Sequence, residues 1–251
     1  MTERRDLTFE LIDEESFAEI PSPAMPGARC QTCDYWERLD GDRAAPEGDA
    51  TARAGLKRSR LLSGTRLAGS YAMLAHQTDA VARTTIGYAQ FGPLSVYPRA
   101  AVIRDRYPKL PDSPAPWVIT CLQVVPSNPG EREAVAGALL AAVCEELDRR
   151  GITAVEAYPE GVEDPWLPSP GPAAIYAENG FELAAGDEHY PVYRRELTGA
   201  GAEVGWGDLL AHARPADDGD DWPLPLPKLR DPEGLFRLSE KPKRPNPFSD
   251  D

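Results

Sequence analysis

Trp117-Val-Ile-Thr-Cys-Leu-Gln-Val-Val125, a short loop through Pro126 and Gly130, then Glu131 to Arg150: this stretch decides the fold. Its first nine residues are rich in β-branched side chains and end at Pro126, which predicts a buried strand. The second part predicts a helix. Val135, Leu139, Val143 and Leu147 recur every fourth residue, and Ala134, Ala138 and Ala142 widen the apolar stripe. Glu131 and Glu133 in the first turn and Arg149 and Arg150 in the last suit the helix dipole. Gly151 is the expected stop. A strand that runs through a tight loop into a helix N-terminus is suited to an anion, because the first amides of a helix lack intrahelical partners.

Working outward, the chain of 251 residues allows one domain with extras or two small ones, and a hydrophobic share of 41% supplies one good core. A net charge of −14 argues against general nucleic-acid binding, which needs a basic face. No run approaches the length of a membrane span, and the N-terminus is charged from the start, so a soluble cytoplasmic protein is expected.

Before the central stretch, Leu7 to Ile12 alternates as a strand, and Asp13 to Ile20 turns Phe17 and Ile20 inward as a short helix. Thr51 to Leu62 reads as a helix anchored by Leu56, Leu61 and Leu62. Ser70 to Ala75 and Thr84 to Phe91 form a hairpin about a polar turn at His76 to Asp79. Leu94 to Pro116 is a proline-containing connection. After the central helix come a strand at Thr153 to Tyr158, an irregular loop, a short helix at Ala173 to Asn179 stopped by Gly180, and strands at Phe181 to Ala185 and Tyr190 to Leu197. The result is an α/β fold, a mixed, mostly antiparallel central sheet flanked by helices, over residues 1–198. Residues 199–251 are acidic and proline-rich, and a largely disordered tail with polyproline II character, open to a protein partner, is expected there.

Several segments carry a resemblance. Strand, loop, then Ala138-Leu139-Leu140 resembles the acyl-CoA-binding motif of the GNAT superfamily of N-acetyltransferases. Ile175-Tyr176-Ala-Glu-Asn-Gly180-Phe181 is similar to that family's "LYEKLGF" segment, and Pro191-Val-Tyr-Arg-Arg-Glu-Leu197 to its last strand. Cys30-Gln-Thr-Cys33-Asp-Tyr-Trp-Glu37 and Gly87-Tyr-Ala-Gln-Phe91 resemble one bacterial branch that opens with CxxCxYWE. The resemblance spans roughly Leu7 to Leu197. It implies that the fourth and fifth strands splay apart and that acetyl-CoA enters the gap as acyl donor. Val124 and Val125 would then offer backbone groups to its pantetheine, and the segment from Glu131 to Ala138 would meet its pyrophosphate. Tyr176 would protonate the leaving thiolate, as a phenol of pKa ~10 can for a thiol of ~8.5.

The phosphate segment departs from the family pattern. Counting back from Ala138-Leu139-Leu140 gives Glu131-Arg132-Glu133-Ala134-Val135-Ala136-Gly137. Ala134 replaces a glycine that permits close backbone approach, and Glu131 replaces a basic or amide residue. One carboxylate ~5 Å from one phosphate charge costs on the order of 3 kcal/mol at an effective dielectric of ~20; Arg132 offsets one of the two charges that Glu131 and Glu133 add. Two functions follow. The leading one is acetyl transfer from acetyl-CoA to a primary amine on a small molecule or peptide, by direct attack. The alternative is a GNAT fold that has lost catalysis and serves as a binding or regulatory module.

Other residues were weighed against structural roles. Glu156 is the candidate general base, since burial would raise its pKa; a solvated strand-end carboxylate is the other reading. Gln123 could orient the amine. Cys30 and Cys33 have the spacing of half a zinc site, but no second pair completes it, so no metal is expected. Trp36 reads as an anchor of its segment on the core, and Cys121 as a small buried strand residue.

Overall fold

A computed structural model of the chain describes residues 6–22, 29–39, 49–65, 69–79, 82–111, 114–125, 129–159, 171–186 and 191–200. Residues 1–5 and 201–251 lie outside it, and with them the expectation for most of the C-terminal tail.

Seven strands form one sheet: β1 (Asp6–Leu11), β2 (Ala72–Thr78), β3 (Arg83–Pro93), β4 (Trp117–Val124), β5 (Ala154–Ala157), β6 (Glu182–Ala185) and β7 (Val192–Glu196). Their order across the sheet is β1-β2-β3-β4-β5-β7-β6. Only β4 and β5 run parallel; every other neighbouring pair is antiparallel. Four helices flank it: α1 (Ala50–Leu62), α2 (Pro98–Arg104), α3 (Pro129–Arg149) and α4 (Ala173–Glu178). Among the described residues, no helix is long and apolar enough to cross a membrane.

The apolar stripe of α3 behaves as its spacing requires. Val135, Leu139, Val143 and Leu147 are all buried, in one core with Ile175, Tyr176 and Phe181 and with Ala75, Ile119, Leu122 and Val155 of the sheet. A second core holds Trp36, Leu61, Tyr97 and Ile103 with Leu74, Tyr88, Val118 and Cys121. Alternate residues of β2 and β4 fall into the two cores, as the strand period of two demands. Gly151 and Gly180 end α3 and α4 at φ of 77° and 80°, a region that favours glycine.

The alternation on β4 changes phase once. Gln90 pairs with Cys121 and Phe91 with Ile119, so Thr120 is an extra residue, a β-bulge. Before it, Ile119 faces the α3 core; after it, Leu122 does, and Cys121 faces the other. Without the bulge Cys121 would sit on the α3 side.

Three expectations change. The connection after β3 contains α2: Pro98 occupies a first-turn position, where its missing N–H costs nothing, and Ala100 and Ile103 bury one face. His76 is not in a turn but fully buried within β2. Leu56 is half exposed, and it is Lys57, one turn before Leu61, that faces inward. The ordered chain also reaches past Leu197: Thr198 Oγ1 donates to Asp148 and the Gly199 N–H donates to Asp148 Oδ1 at 2.7 Å.

Candidate functional site

The parallel pair holds over a short length. Trp117, Val118 and Ile119 pair with Val155, Glu156 and Ala157, and there the register of β4 with β5 stops, five residues before β4 ends. Past Ile119, β4 runs on beside β3 for five more residues, whereas β5 ends at Ala157, the last residue of the parallel register. The N–H of Val125 donates to Ile86 O at 2.8 Å and is taken up by β3. By the alternation of an antiparallel ladder, the peptide groups of Val124 then turn to the opposite edge of the strand, away from β3. Of the two valines expected to meet a pantetheine, Val124 thus has its peptide groups off the β3 ladder, whereas the amide of Val125 is committed to it.

Helix α3 starts at Pro129, two residues earlier than its sequence pattern suggests. Glu131 and Arg132 are half-buried in the first turn, and Glu133 and Ala134 are exposed on the next. Val135 and Ala136 belong to the core, at 4% and 0% exposure, so their side chains hold the helix on the sheet. Gly137 and Ala138 are half-buried. A Cβ at Gly137 would lie 3.3 Å from Asn179 Nδ2, so this glycine serves the approach of α3 to the end of α4. The face that could meet an anion is therefore narrower than the expected segment: Glu131, Arg132 and Ala134.

Tyr176 on α4 is fully buried, edge-on to Phe181 at 5.3 Å between centroids. Burial, with the Cys121 and Cys144 thiols beside it, pushes its phenol well above the ordinary value. That makes it a weaker acid than a free phenol. Glu156 has no exposure at all, which overturns the solvated reading. Arg104 Nε donates to its Oε2 at 3.1 Å, Tyr158 OH to the same oxygen at 2.5 Å, and Arg194 Nη1 to its Oε1 at 2.8 Å. The two guanidinium groups and the phenol occupy the lone pairs of the carboxylate. Glu156 ties α2, β5 and β7 together and is badly placed to accept a substrate proton.

Sequence reasoning passed over a second polar group, in the other core. The Lys57 ammonium donates to Glu37 Oε1 and to Gln90 Oε1, each at 2.5 Å, and Gln90 Nε2 donates to Glu37 Oε1 at 2.9 Å. Tyr88 OH completes the set, donating to Gln90 Oε1 at 3.1 Å. The side chains of Lys57 and Glu37 are 3% and 4% exposed. Burial, the largest single influence, works against the Lys57 charge, but the charge and hydrogen bond of Glu37 with the Cys121 and Cys33 thiols together hold the ammonium above its ordinary value. The other carboxylate oxygen, Glu37 Oε2, is buried with no hydrogen-bond partner among the described residues. A signal did exist: Glu37 closes one of the quoted motifs, Gln90 is the penultimate residue of another, and Lys57 stands four residues before the buried Leu61.

Glu37 and Gln90 also line a cavity of about 260 Å³ with Arg60, Ser59, Ser63 and Tyr97. The segment that carries Glu37 is well fixed. Trp36 is buried at 2%, Arg99 Nε donates to Tyr35 O at 2.8 Å, and Arg53 Nη2 donates to Thr32 O at 2.9 Å. Within it Cys30 is buried and its thiol is pushed up to about 12, mainly by that burial. It is not a reactive thiolate at neutral pH. Gln123, almost fully buried, follows Cys121 by two on β4 and shares its side of the sheet.

No protein-family model matches the chain, and no curated protein does. Solved structures do show likeness. The chain is similar to a mosquito arylalkylamine N-acetyltransferase (like 5b), at 12% identity and TM-score 0.45, over 76% of this chain and 100% of that one. It is similar to an assigned GNAT-family acetyltransferase from Desulfovibrio desulfuricans, at 16% identity and TM-score 0.43, over 76% and 99%. A third is an N-acetyltransferase from Staphylococcus aureus Mu50, at 12% identity and TM-score 0.42, over 77% and 99%.

Proposed function

We propose that the protein is a GNAT-type N-acetyltransferase that moves an acetyl group from acetyl-CoA to a primary amine on a small molecule or peptide. The observation that carries this reading is that β4 runs five residues past the end of its pairing with β5, on the strand that precedes α3 in the chain. A strand edge that outruns its neighbour and is followed by a helix N-terminus suits an extended amide-bearing chain that ends in a diphosphate.

The residues present fit such a donor, though not ideally. The peptide groups of Val124, turned away from β3, would hold the pantetheine amides, and the exposed Val125 would cover its apolar part. Arg132 would lie on the diphosphate side, working against Glu131. Bound acetyl-CoA would supply an activated acyl carbon and a thiol leaving group. Tyr176 holds a phenolic proton in a dry site, where a departing thiolate would take it. The base role expected for Glu156 drops out of this reading, because both of its oxygens are held by guanidinium groups.

The test is a calorimetric and thermal-shift titration of the full chain with acetyl-CoA. A ligand at 100 times its Kd stabilises a fold by ~2.7 kcal/mol, and a rise in melting temperature that saturates is expected. No response at millimolar concentration would overturn the acyl-CoA reading and leave the fold as a binding or regulatory module.

A further inference from the structure

The cavity beside Glu37 has two ends of opposite chemistry. By burial, Glu37, Gln90 and Tyr97 form its inner wall, while Ser59, Ser63 and the half-buried Arg60 form its rim. The inner wall offers an acceptor without a donor. Glu37 Oε1 takes protons from both Lys57 and Gln90, whereas Oε2 takes none, although the side chain is 96% buried by the complement of its 4% exposure. A buried carboxylate oxygen left so costs free energy until a donor reaches it. The rim offers the converse, since the Arg60 guanidinium has no ion-pair or hydrogen-bond partner among the described residues. At ~30 Å³ per molecule, the volume equals that of roughly eight or nine waters. That is space for a small metabolite, not for a folded partner.

From these observations we infer that the cavity is the acceptor pocket of the proposed acetyltransferase, and that it takes a small amino carboxylate such as a free amino acid. The inference rests on the acyltransferase reading above. An N–H of the amine donates to Glu37 Oε2 and the carboxylate pairs with Arg60, in the bidentate form that guanidinium favours. Charge decides the form of the amine. Lys57 and Glu37 already sum to zero, and a second ammonium beside Lys57 would be repelled, so the neutral amine is preferred. The neutral amine is also the nucleophile that acyl transfer needs.

Position agrees with this role. Gln90 on the inner wall pairs across the sheet with Cys121, two residues beyond Ile119, where β5 leaves β4. The buried end of the cavity is thus near the level at which the β4–β5 pairing ends. In transfer, the C–N bond forms as the thioester C–S bond breaks. The thiolate leaves with the electron pair and takes the Tyr176 proton, and the proton lost by nitrogen passes to Glu37 Oε2.

Titrating individual free L-amino acids into the full chain by calorimetry, without acetyl-CoA, reads the pocket apart from the reaction. At least one should bind, and capping its amine with acetyl or its carboxylate as an amide should weaken it tenfold or more. Its affinity should rise with pH through the pKa of its own amine. Arg60→Met, at a half-exposed position that the fold does not need, should weaken it tenfold or more with an unchanged melting temperature. Glu37→Gln should do the same if it folds. With acetyl-CoA added, that amino acid should be N-acetylated. If none of the twenty binds while acetyl-CoA does, the pocket assignment falls and the acyltransferase reading stands. If an amino acid binds but acetyl-CoA does not, or no transfer follows, the acceptor role is overturned.

Discussion

Lys57 Nζ lies 2.5 Å from Glu37 Oε1, with less than a twentieth of either side chain in contact with water. Breaking a buried ion pair by removing one partner leaves an uncompensated charge and costs ~3–5 kcal/mol, while replacing both partners costs far less. Lys57→Met is therefore expected to lower unfolding free energy by about that amount, and Lys57→Met with Glu37→Gln to restore part of it. Urea denaturation of the two variants measures this. A single variant as stable as the parent would mean that the pair contributes nothing to the fold.

Tyr176→Phe should reduce kcat by ~10²-fold or more, since general acid catalysis contributes ~10²–10⁴. Acetyl-CoA affinity should stay within about threefold, by the logic that an interaction made only in the transition state leaves binding alone. Steady-state kinetics alongside calorimetry separates the two, and an unchanged kcat removes Tyr176 from the mechanism.

Glu131→Arg combined with Ala134→Gly should tighten acetyl-CoA binding. Glu131 is half-buried and Ala134 exposed on the outward face of the first turns of α3, so both substitutions fit without touching the core. A flat or weaker affinity would place the diphosphate elsewhere.

His76 is fully buried on β2, with Nδ1 3.0 Å from Thr85 Oγ1, Glu10 and Glu19 at 3.7 and 3.8 Å, and Arg83 nearby. Burial, and then Arg83, hold its pKa below the ordinary value despite the two carboxylates. The unfolded chain, at ~6.5, takes up a proton first, so stability is complete above about pH 6.5 and falls as pH drops toward the lower folded value. Melting curves between about pH 7.5 and 5 should show that fall, and His76→Gln should flatten it.

Ending the chain after Ala200 should leave the melting temperature unchanged. The residues beyond it are acidic and proline-rich, with too little apolar area to offset the ordering of a backbone at ~1–2 kcal/mol per residue. Ending it after Leu197 removes the bonds of Thr198 and Gly199 to Asp148 and should lower the melting temperature by about 2–4 °C, the equivalent of ~1 kcal/mol at this size.

Order and type of the elements were legible because their signals are local. The four-residue spacing of Val135, Leu139, Val143 and Leu147, the stops at Gly151 and Gly180 and the β-branched run at Trp117 each depend on neighbours in sequence. Helix α2 was obscured because the prolines around it read as a connection, although Pro98 opens the helix. The candidate site was less legible because it is made of distant pairs. Nothing near Glu156 in sequence announces Arg104 or Arg194, and the partners of Lys57 lie 20 and 33 residues away. A buried lysine looks like a surface lysine until its carboxylate is brought to it.

The extra residue at Thr120 gives β4 two addresses on one strand. Its first half is read by the sheet on both sides and by the packing beneath α3. Its second half, shifted in parity, runs past the end of β5 and turns Cys121 to the core opposite α3. A one-residue deletion here would not shorten a loop; it would exchange the audiences of Cys121, Leu122, Gln123 and Val124 at a stroke. Insertions and deletions at this point are therefore functional changes even when every side chain is retained, whereas substitutions can adjust either half of the strand independently.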